Sequence, residues 1–180
     1  WLDKTLTYSC GIFDDANETL EKAQINKYNR LIDLIKPKPG SNVLEIGCGW
    51  GGFAEQIAKN HDIKLDCITI SKKQYEYTKT KVNMLGLNHK VNIKMLDYRD
   101  INKKYDNIIS IEMIEAVGEK YLSSYFKSIK KNLTTGGRAA IQSIVISDSL
   151  YDQYRKKEDF IQSFIFPGGF LPSLNILKKL

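Results

Sequence analysis

The chain has 180 residues, a formal net charge of +6, 42% hydrophobic residues and 27% charged ones. That composition suits one soluble domain with a real core. No apolar run approaches the roughly 18–20 residues of a membrane-crossing helix, and no nucleic-acid motif accompanies the basic charge. The positive charge is spread over short pairs: Lys72-Lys73, Lys103-Lys104, Lys130-Lys131, Arg155-Lys156-Lys157 and Lys178-Lys179. These read as solvated helix faces, with attraction to an anionic phospholipid surface as the functional alternative. The first residues, Trp1-Leu2-Asp3-Lys4, are not a signal peptide and include no initiator Met, so the chain is expected to be part of a longer protein. Cys10, Cys48 and Cys67 are too few and too scattered for a disulfide framework, which points to a reducing, cytoplasmic compartment. His61 and His89 are the only histidines; neither has metal-ligand spacing, and a His-dependent triad is not expected.

In chain order, Asp15 or Asn17 is placed to cap a helix running to about residue 35. Leu20, Ala23, Leu31 and Leu34 share its apolar face, with Lys27 interrupting it. Pro37, Pro39 and Gly40 end it. Strand one is predicted at 43–46, a helix at 51–60 and strand two at 63–70. Ser71 caps the next helix, whose inner face is Tyr75, Thr78, Val82 and Leu85, and Gly86 stops it. Strand three is predicted at 91–96, strand four at 106–112, and a helix at 120–133 with Leu122, Phe126, Ile129 and Leu133 inward. Thr134-Thr135-Gly136-Gly137 turns the chain into strand five at 139–146. Five alternations of strand and helix predict an α/β fold, a doubly wound parallel sheet with helices on both faces. The pattern then breaks: 151–166 reads as helical, and 166–172 as an aromatic, apolar, proline-rich turn.

In open α/β sheets, ligands bind beyond the carboxyl ends of the strands. After strand one stands Glu45-Ile46-Gly47-Cys48-Gly49-Trp50-Gly51-Gly52, four glycines in six residues, which let the backbone approach a ligand closely. Gly47, Gly49 and Gly52 match the dinucleotide spacing G-x-G-x-x-G. That site also wants an acid at the end of strand two, where this chain has Thr69-Ile70-Ser71. The E-x-G-x-G form, with Glu45 inside the strand, is instead that of S-adenosylmethionine sites, and a carboxylate there suits a ligand with an ammonium group. Thr69, Ser71 and Gln74 follow strand two, and Asp97-Tyr98-Arg99-Asp100 follow strand three. Among Glu112, Glu115 and Glu119, the first and last read as helix caps. Glu115, just past strand four, reads as catalytic. On residue chemistry alone, Tyr8-Ser9-Cys10-Gly11 reads as an N-terminal turn with a buried thiol.

Together these motifs carry a resemblance. Tyr8-Ser9-Cys10-Gly11, the 43–52 strand and glycine loop, Thr69-Ile70-Ser71, Asp97-Tyr98-Arg99-Asp100, Glu112-Met113-Ile114-Glu115-Ala116-Val117-Gly118, Phe166-Pro167-Gly168-Gly169 and Leu171-Pro172-Ser173 occur in this order. The sequence resembles the cyclopropane-fatty-acyl-phospholipid synthase family, which includes the mycolic acid cyclopropane synthases. The resemblance implies a Rossmann-like class I methyltransferase fold and a single methyltransferase domain, with 1–40 as a cap segment and 147–180 as a lid and substrate segment. It implies methyl transfer from S-adenosylmethionine to the cis double bond of a phospholipid acyl chain, with loss of a proton as the ring closes. It assigns cofactor contacts to Tyr8, Ser9, Gly47, Gly49, Thr69, Ser71, Gln74, Asp97, Tyr98 and Ile111. It also assigns a bicarbonate site to Cys10, Glu115, the backbone of Ile144 and a strand-five side chain, which here is Gln142. Two positions depart from the best-known members, which carry His where this chain has Gln142 and Ala116. The family also continues past this chain, adding the last strands of the sheet and a Tyr at the bicarbonate site, so the chain alone is expected to leave that site incomplete. Other readings are an N- or S-methyltransferase of a small molecule, a non-catalytic cofactor-binding module and, more remotely, an NAD-linked enzyme.

Overall fold

The computed structural model describes residues 2–180. Five strands form one parallel sheet in the order β3-β2-β1-β4-β5. They are β1 (Ser41–Ile46), β2 (Ile63–Thr69), β3 (Val91–Met95), β4 (Tyr105–Ile111) and β5 (Leu133–Gln142). The strand order reverses between β1 and β4, and the crevice beyond their carboxyl ends is where such sheets hold ligands. Period-two alternation sends successive side chains to opposite faces. Val43, Leu65 and Cys67 pack against helices α1 (Leu20–Ile35), α2 (Gly52–Asn60) and α3 (Lys72–Met84). Leu44, Ile46 and Ile108 pack against α4 (Leu122–Asn132) and α5 (Asp148–Tyr154).

Local chemistry moves several boundaries from the sequence reading. Thr19, not Asp15 or Asn17, caps α1, its hydroxyl accepting the Lys22 N–H at 3.2 Å. Asp15 closes a turn onto the Asn17 N–H instead. Leu34 points outward at 51% exposure, while Lys27 is wholly inside. Ser71 caps α3 as expected, accepting the Gln74 N–H. Leu85 lies largely outside the core, beyond Thr78 and Val82. The inner face of α4 includes Tyr125, fully buried, whose hydroxyl donates to Ser110 Oγ at 2.6 Å.

β5 differs most. It starts at Leu133, directly after α4, and ends at Gln142, so 134–137 is not a turn before the strand. Leu133 pairs with Tyr105 and Arg138 with Asn107, so five steps along β5 answer two along β4 and the extra residues bulge out. Asp106 anchors this corner, accepting from the Asn42 N–H and the Thr134 hydroxyl. Beyond Gln142 the chain leaves the sheet, and Ile146 makes only an isolated bridge to Ser173. The segment read as one helix over 151–166 divides into α5, a π-helical turn Ile161–Ile165 and the chain between them; α6 (Leu174–Leu177) follows. Tyr151, Tyr154 and Phe170 pack together and anchor this segment to the domain.

The first residue of α2 shows how closely the N-terminal segment is seated. A Cβ on Gly52 would collide with the Tyr28 hydroxyl and come within 2.8 Å of Thr7 Oγ1, two groups hydrogen-bonded to each other at 2.6 Å. Gly52→Ala is expected to destabilise the protein by about 1–3 kcal/mol, read as a melting temperature lower by several degrees; an unchanged melting temperature would refute this account of the seat.

Candidate active site

The glycine loop leaves β1 in a turn that no side chain beyond Cβ could follow easily. Gly47, Gly49 and Gly51 all have positive φ, at +79°, +51° and +75°. The Gly47 and Cys48 N–H groups both donate to Ile68 O, pinning the turn to the end of β2. A Cβ on Gly49 would enter open space. That space is a chamber of about 760 Å³. Tyr8, Ser9, Glu45, Gly47, Gly49, Thr69, Ser71, Gln74, Asp97, Tyr98 and Ile111, the residues matched to a cofactor from sequence, all line it.

Within it Thr69 Oγ1 donates to Gln74 Oε1 at 2.8 Å, fixing the amide at the head of α3. Asp97 holds the Arg99 guanidinium in a fork at 2.9 and 2.7 Å, and the arginine holds the Asp97 carboxyl below its usual range. Glu45 is buried, its Oε2 accepting the Cys67 thiol at 3.3 Å. Burial pushes its pKa up to about 8. Asp66, within β2, is buried away from this chamber. It is compensated by Tyr105, Asn92, Lys94 and Lys103.

A second chamber of about 770 Å³ lies alongside, its wall mostly apolar. Thr7, Tyr8, Ser9, Glu112 and Ala116 line both chambers. Cys10, Glu115 and Ile144 line the second, which Ile161, Ile165, Phe166 and Phe170 cover. Cys10 is exposed rather than a buried thiol, because its segment lies on the domain surface without entering the core. Glu115 Oε1 accepts from the Ile144 N–H and from Ser143 Oγ. Its Oε2 is buried with no hydrogen-bond partner. Burial pushes the Glu115 carboxyl above the usual range despite those bonds.

Glu112 and Glu119 do not cap helices. Glu112 stands at φ +47°, a strained position for a residue with a side chain. Its Oε1 accepts both the Cys10 N–H and the Gln142 amide at 2.8 Å. Gln142 Nε2 reaches Cys10 O as well, at 3.2 Å, and its ring of contacts closes where the Glu112 N–H donates to Gln142 O. Glu119 takes the Tyr151 hydroxyl and the Arg155 guanidinium. Both carboxylates serve distant segments: Glu112 lies just past the end of β4, and Glu119 opens a short 3-10 turn, each facing another part of the chain.

The family model described as mycolic acid cyclopropane synthetase matches residues 1–179. The chain belongs to the mycolic acid cyclopropane synthetase family. It is 38% identical over 180 residues to tuberculostearic acid methyltransferase UfaA1 of Mycobacterium tuberculosis (strain ATCC 25618 / H37Rv), covering 96% of this chain and 42% of that protein. It is 37% identical over 183 residues to the cyclopropane-fatty-acyl-phospholipid synthase of Escherichia coli (strain K12), covering 99% of this chain and 44% of that one. The crystal structure of mycolic acid cyclopropane synthase CmaA1 complexed with SAH and CTAB superposes with a TM-score of 0.87 at 25% identity, covering 99% of this chain and 66% of that one. The chain thus spans less than half the length of these two sequence relatives. The fold is that of the class I S-adenosylmethionine-dependent methyltransferases, as the sequence led one to expect.

In this member of the mycolic acid cyclopropane synthetase family, three residues that touch the site were not assigned to it from sequence: Glu112 read as a helix cap, Lys27 as an interruption of an apolar face, and Gln24 drew no reading. Glu112 ties the 8–11 segment to the sheet. Gln24 and Lys27, both buried on α1, reach the same segment at Ser9. The signal was present: two polar residues three apart on the face that carries Ala23 and Leu31.

The raised Glu45 pKa sets the sign of one pH effect. A carboxyl at about 8 in the folded chain and at about 4.5 unfolded keeps its proton on folding between those values. Its contribution is complete below about pH 4.5 and is lost as pH rises through about 8. Glu115, also raised, adds in the same direction. Denaturant midpoints are expected to fall between pH 5 and 8, and Glu45→Gln is expected to flatten most of that slope; an equal slope in the variant would refute the burial assignment.

Proposed function

We propose that the protein transfers the methyl group of S-adenosylmethionine to the cis double bond of an unsaturated phospholipid acyl chain, giving a cyclopropane or methyl-branched product. One observation carries this: a buried carboxyl with a free oxygen, Glu115, stands on the wall of an apolar chamber that adjoins a polar, glycine-looped one. The polar chamber suits the cofactor. Gly49 leaves room that a Cβ would fill, Glu45 lines it as an acid that burial keeps protonated up to about pH 8, and Thr69, Ser71, Gln74 and Asp97 offer hydrogen bonds. S-adenosylmethionine, when bound, supplies an electrophilic methyl group that needs orientation more than activation. The SAH in the CmaA1 complex supports the same reading.

The shared wall of Tyr8, Ser9, Glu112 and Ala116 brings donor and acyl chain within reach of one another. The apolar cover of Ile161, Ile165, Phe166 and Phe170 excludes water from a carbocation that water would otherwise capture. Carboxylates at Glu112 and Glu115 and the aromatic faces of Tyr8 and Phe166 stabilise positive charge there. Glu115 Oε2 is free to accept the proton released as the ring closes. Cys10, Glu115 and Ile144 border the place a bicarbonate would take, but it would have to displace the Ile144 N–H from Glu115 and the Gln142 amide from Glu112 and the Cys10 carbonyl. We take residues 147–180 as the lid and substrate segment and 1–40 as the cap of this domain.

Lipid access fits the outer surface of that lid. Phe160 and Phe164 are 66% and 73% exposed, next in sequence to Arg155-Lys156-Lys157, a combination suited to shallow contact with an anionic membrane. No helix among the described residues is long and apolar enough to cross a membrane. The three unpaired cysteines suit a reducing, cytoplasmic setting.

Incubation with methyl-labelled S-adenosylmethionine and vesicles of unsaturated phospholipid is expected to place label in the extracted fatty acids. Glu115→Gln is expected to lower that rate by about a hundredfold or more without weakening cofactor binding. Label confined to water-soluble products would overturn the lipid assignment, and full activity in the variant would overturn the role of Glu115.

A further inference from the structure

α1 turns two polar side chains inward, Gln24 at 1% exposure and Lys27 at 0%. Both end on Ser9. Gln24 Nε2 donates to Ser9 O at 2.7 Å, and Lys27 Nζ donates to Ser9 Oγ at 2.6 Å. The Lys27 ammonium also lies 4.4 Å over the Tyr28 ring. Among the described residues it forms no ion pair with a carboxylate. Burial lowers the Lys27 pKa to about 8, although the acids Glu112, Glu45 and Asp3 act on it from beyond contact distance, and an ammonium so desolvated lowers stability. A methionine of similar length would fill the space without that burden.

Two observations indicate what the charge serves. The lining of the first chamber carries Glu45, Asp97 and Glu112 as acids and Arg99 as its one cation, and Arg99 is forked onto Asp97. The chambers also meet at Ser9, so the sulfur end of the cofactor, which must face the acyl chain, lies beside it. That end is an amino acid. Glu112 on the lining is placed to answer its ammonium, whereas no free cation on the lining answers its carboxylate.

Resting on the cofactor reading above, we propose that Lys27 is a positioning residue that acts through Ser9 to bind the carboxylate of the cofactor's amino-acid end. The proton arrangement follows from the bonds present. Lys27 can only donate, so Ser9 Oγ accepts from it, and the Ser9 hydroxyl hydrogen is left to donate into the chamber. The buried positive charge polarises that hydroxyl and strengthens its bond to an anion. Gln24 fixes the Ser9 carbonyl so that the side chain cannot turn away.

The test is calorimetric titration of two ligands into the wild type, Lys27→Met, Ser9→Ala and the double variant. S-adenosylhomocysteine carries the amino-acid end; 5′-methylthioadenosine lacks it. Lys27→Met is expected to weaken S-adenosylhomocysteine binding by about tenfold, to leave 5′-methylthioadenosine binding within about twofold, and to melt at or above the wild-type temperature. The double variant is expected to bind S-adenosylhomocysteine no more weakly than the weaker single variant. Unchanged S-adenosylhomocysteine affinity in Lys27→Met, or equal weakening of both ligands, overturns the proposal. Should Lys27→Met fail to fold, Ser9→Ala decides: an unchanged affinity overturns it and a selective loss supports it. A wild type that binds neither ligand overturns the cofactor reading itself, and this inference with it.

Discussion

Residues 8–11 have no regular structure of their own, and the candidate site depends on how they are held. A chain segment outside helix and sheet must find partners for its backbone groups elsewhere. Here Gln24 takes the Ser9 carbonyl, Glu112 takes the Cys10 N–H, and Gln142 gives to the Cys10 carbonyl. Gly11 lies so close to α1 that a Cβ there would come within 2.9 Å of the Ala23 methyl group, and the Ile12 N–H donates to Ala23 O. The segment is thus clamped between α1 on one side and the ends of β4 and β5 on the other. Because Tyr8 and Ser9 line both chambers, this clamp also sets the partition between them.

The groups that do the clamping are poor choices for stability alone. Two apolar layers pack against the sheet and supply the favourable burial. Against that background the chain keeps a buried ammonium at Lys27, a buried carboxyl at Glu45, a part-buried carboxyl at Glu115 and a left-handed glutamate at Glu112. Each opposes folding through desolvation or backbone strain. All four border the same two chambers or the segment between them. Such concentrated local unfavourability is what a site arranged for charge recognition produces, since stability there is exchanged for preorganisation.

The sheet was legible because it rests on periodicity and glycine chemistry that are local in sequence. β1 to β4 fall within two residues of their predicted positions, and Ser71 caps α3 through its own hydroxyl. The glycine loop was legible because three positive φ values in five residues demand glycine. β5 was not, since its bulge is fixed by Asp106, which lies 28 residues from Thr134 along the chain. The role of Glu112 was equally hidden. Its partners are 102 and 30 residues distant, and nothing in a single sequence separates a helix cap from a long-range clasp. Lys27 was visible as an exception to an apolar face, but its meaning depended on Ser9, 18 residues earlier. What sequence reading caught was within reach of one turn or strand; what it missed joins segments that meet only in the folded chain.

The lid adds a constraint on how the apolar chamber can open. Two kinds of contact hold residues 160–171 to the rest. Phe170 is buried among Tyr151 and Tyr154, and its N–H donates to Glu115 O at 2.9 Å, so the lid hangs from the residue whose carboxyl faces the chamber. Phe166, by contrast, meets Tyr8 at 6.1 Å across a half-exposed gap, and Phe160 and Phe164 touch little but each other. Separating Phe166 from Tyr8 exposes modest apolar area, while freeing Phe170 would break a packed aromatic cluster and a backbone bond. Opening is therefore easiest at the Tyr8 side, with Phe170 as the fixed end. On the function proposed above, an acyl chain would enter there over Tyr8 and reach Glu115 without disturbing the bond that holds the Glu115 backbone in place. Tyr8, which helps to partition the two chambers, thus also stands at the edge of the apolar one, so the clamp on residues 8–11 shapes both.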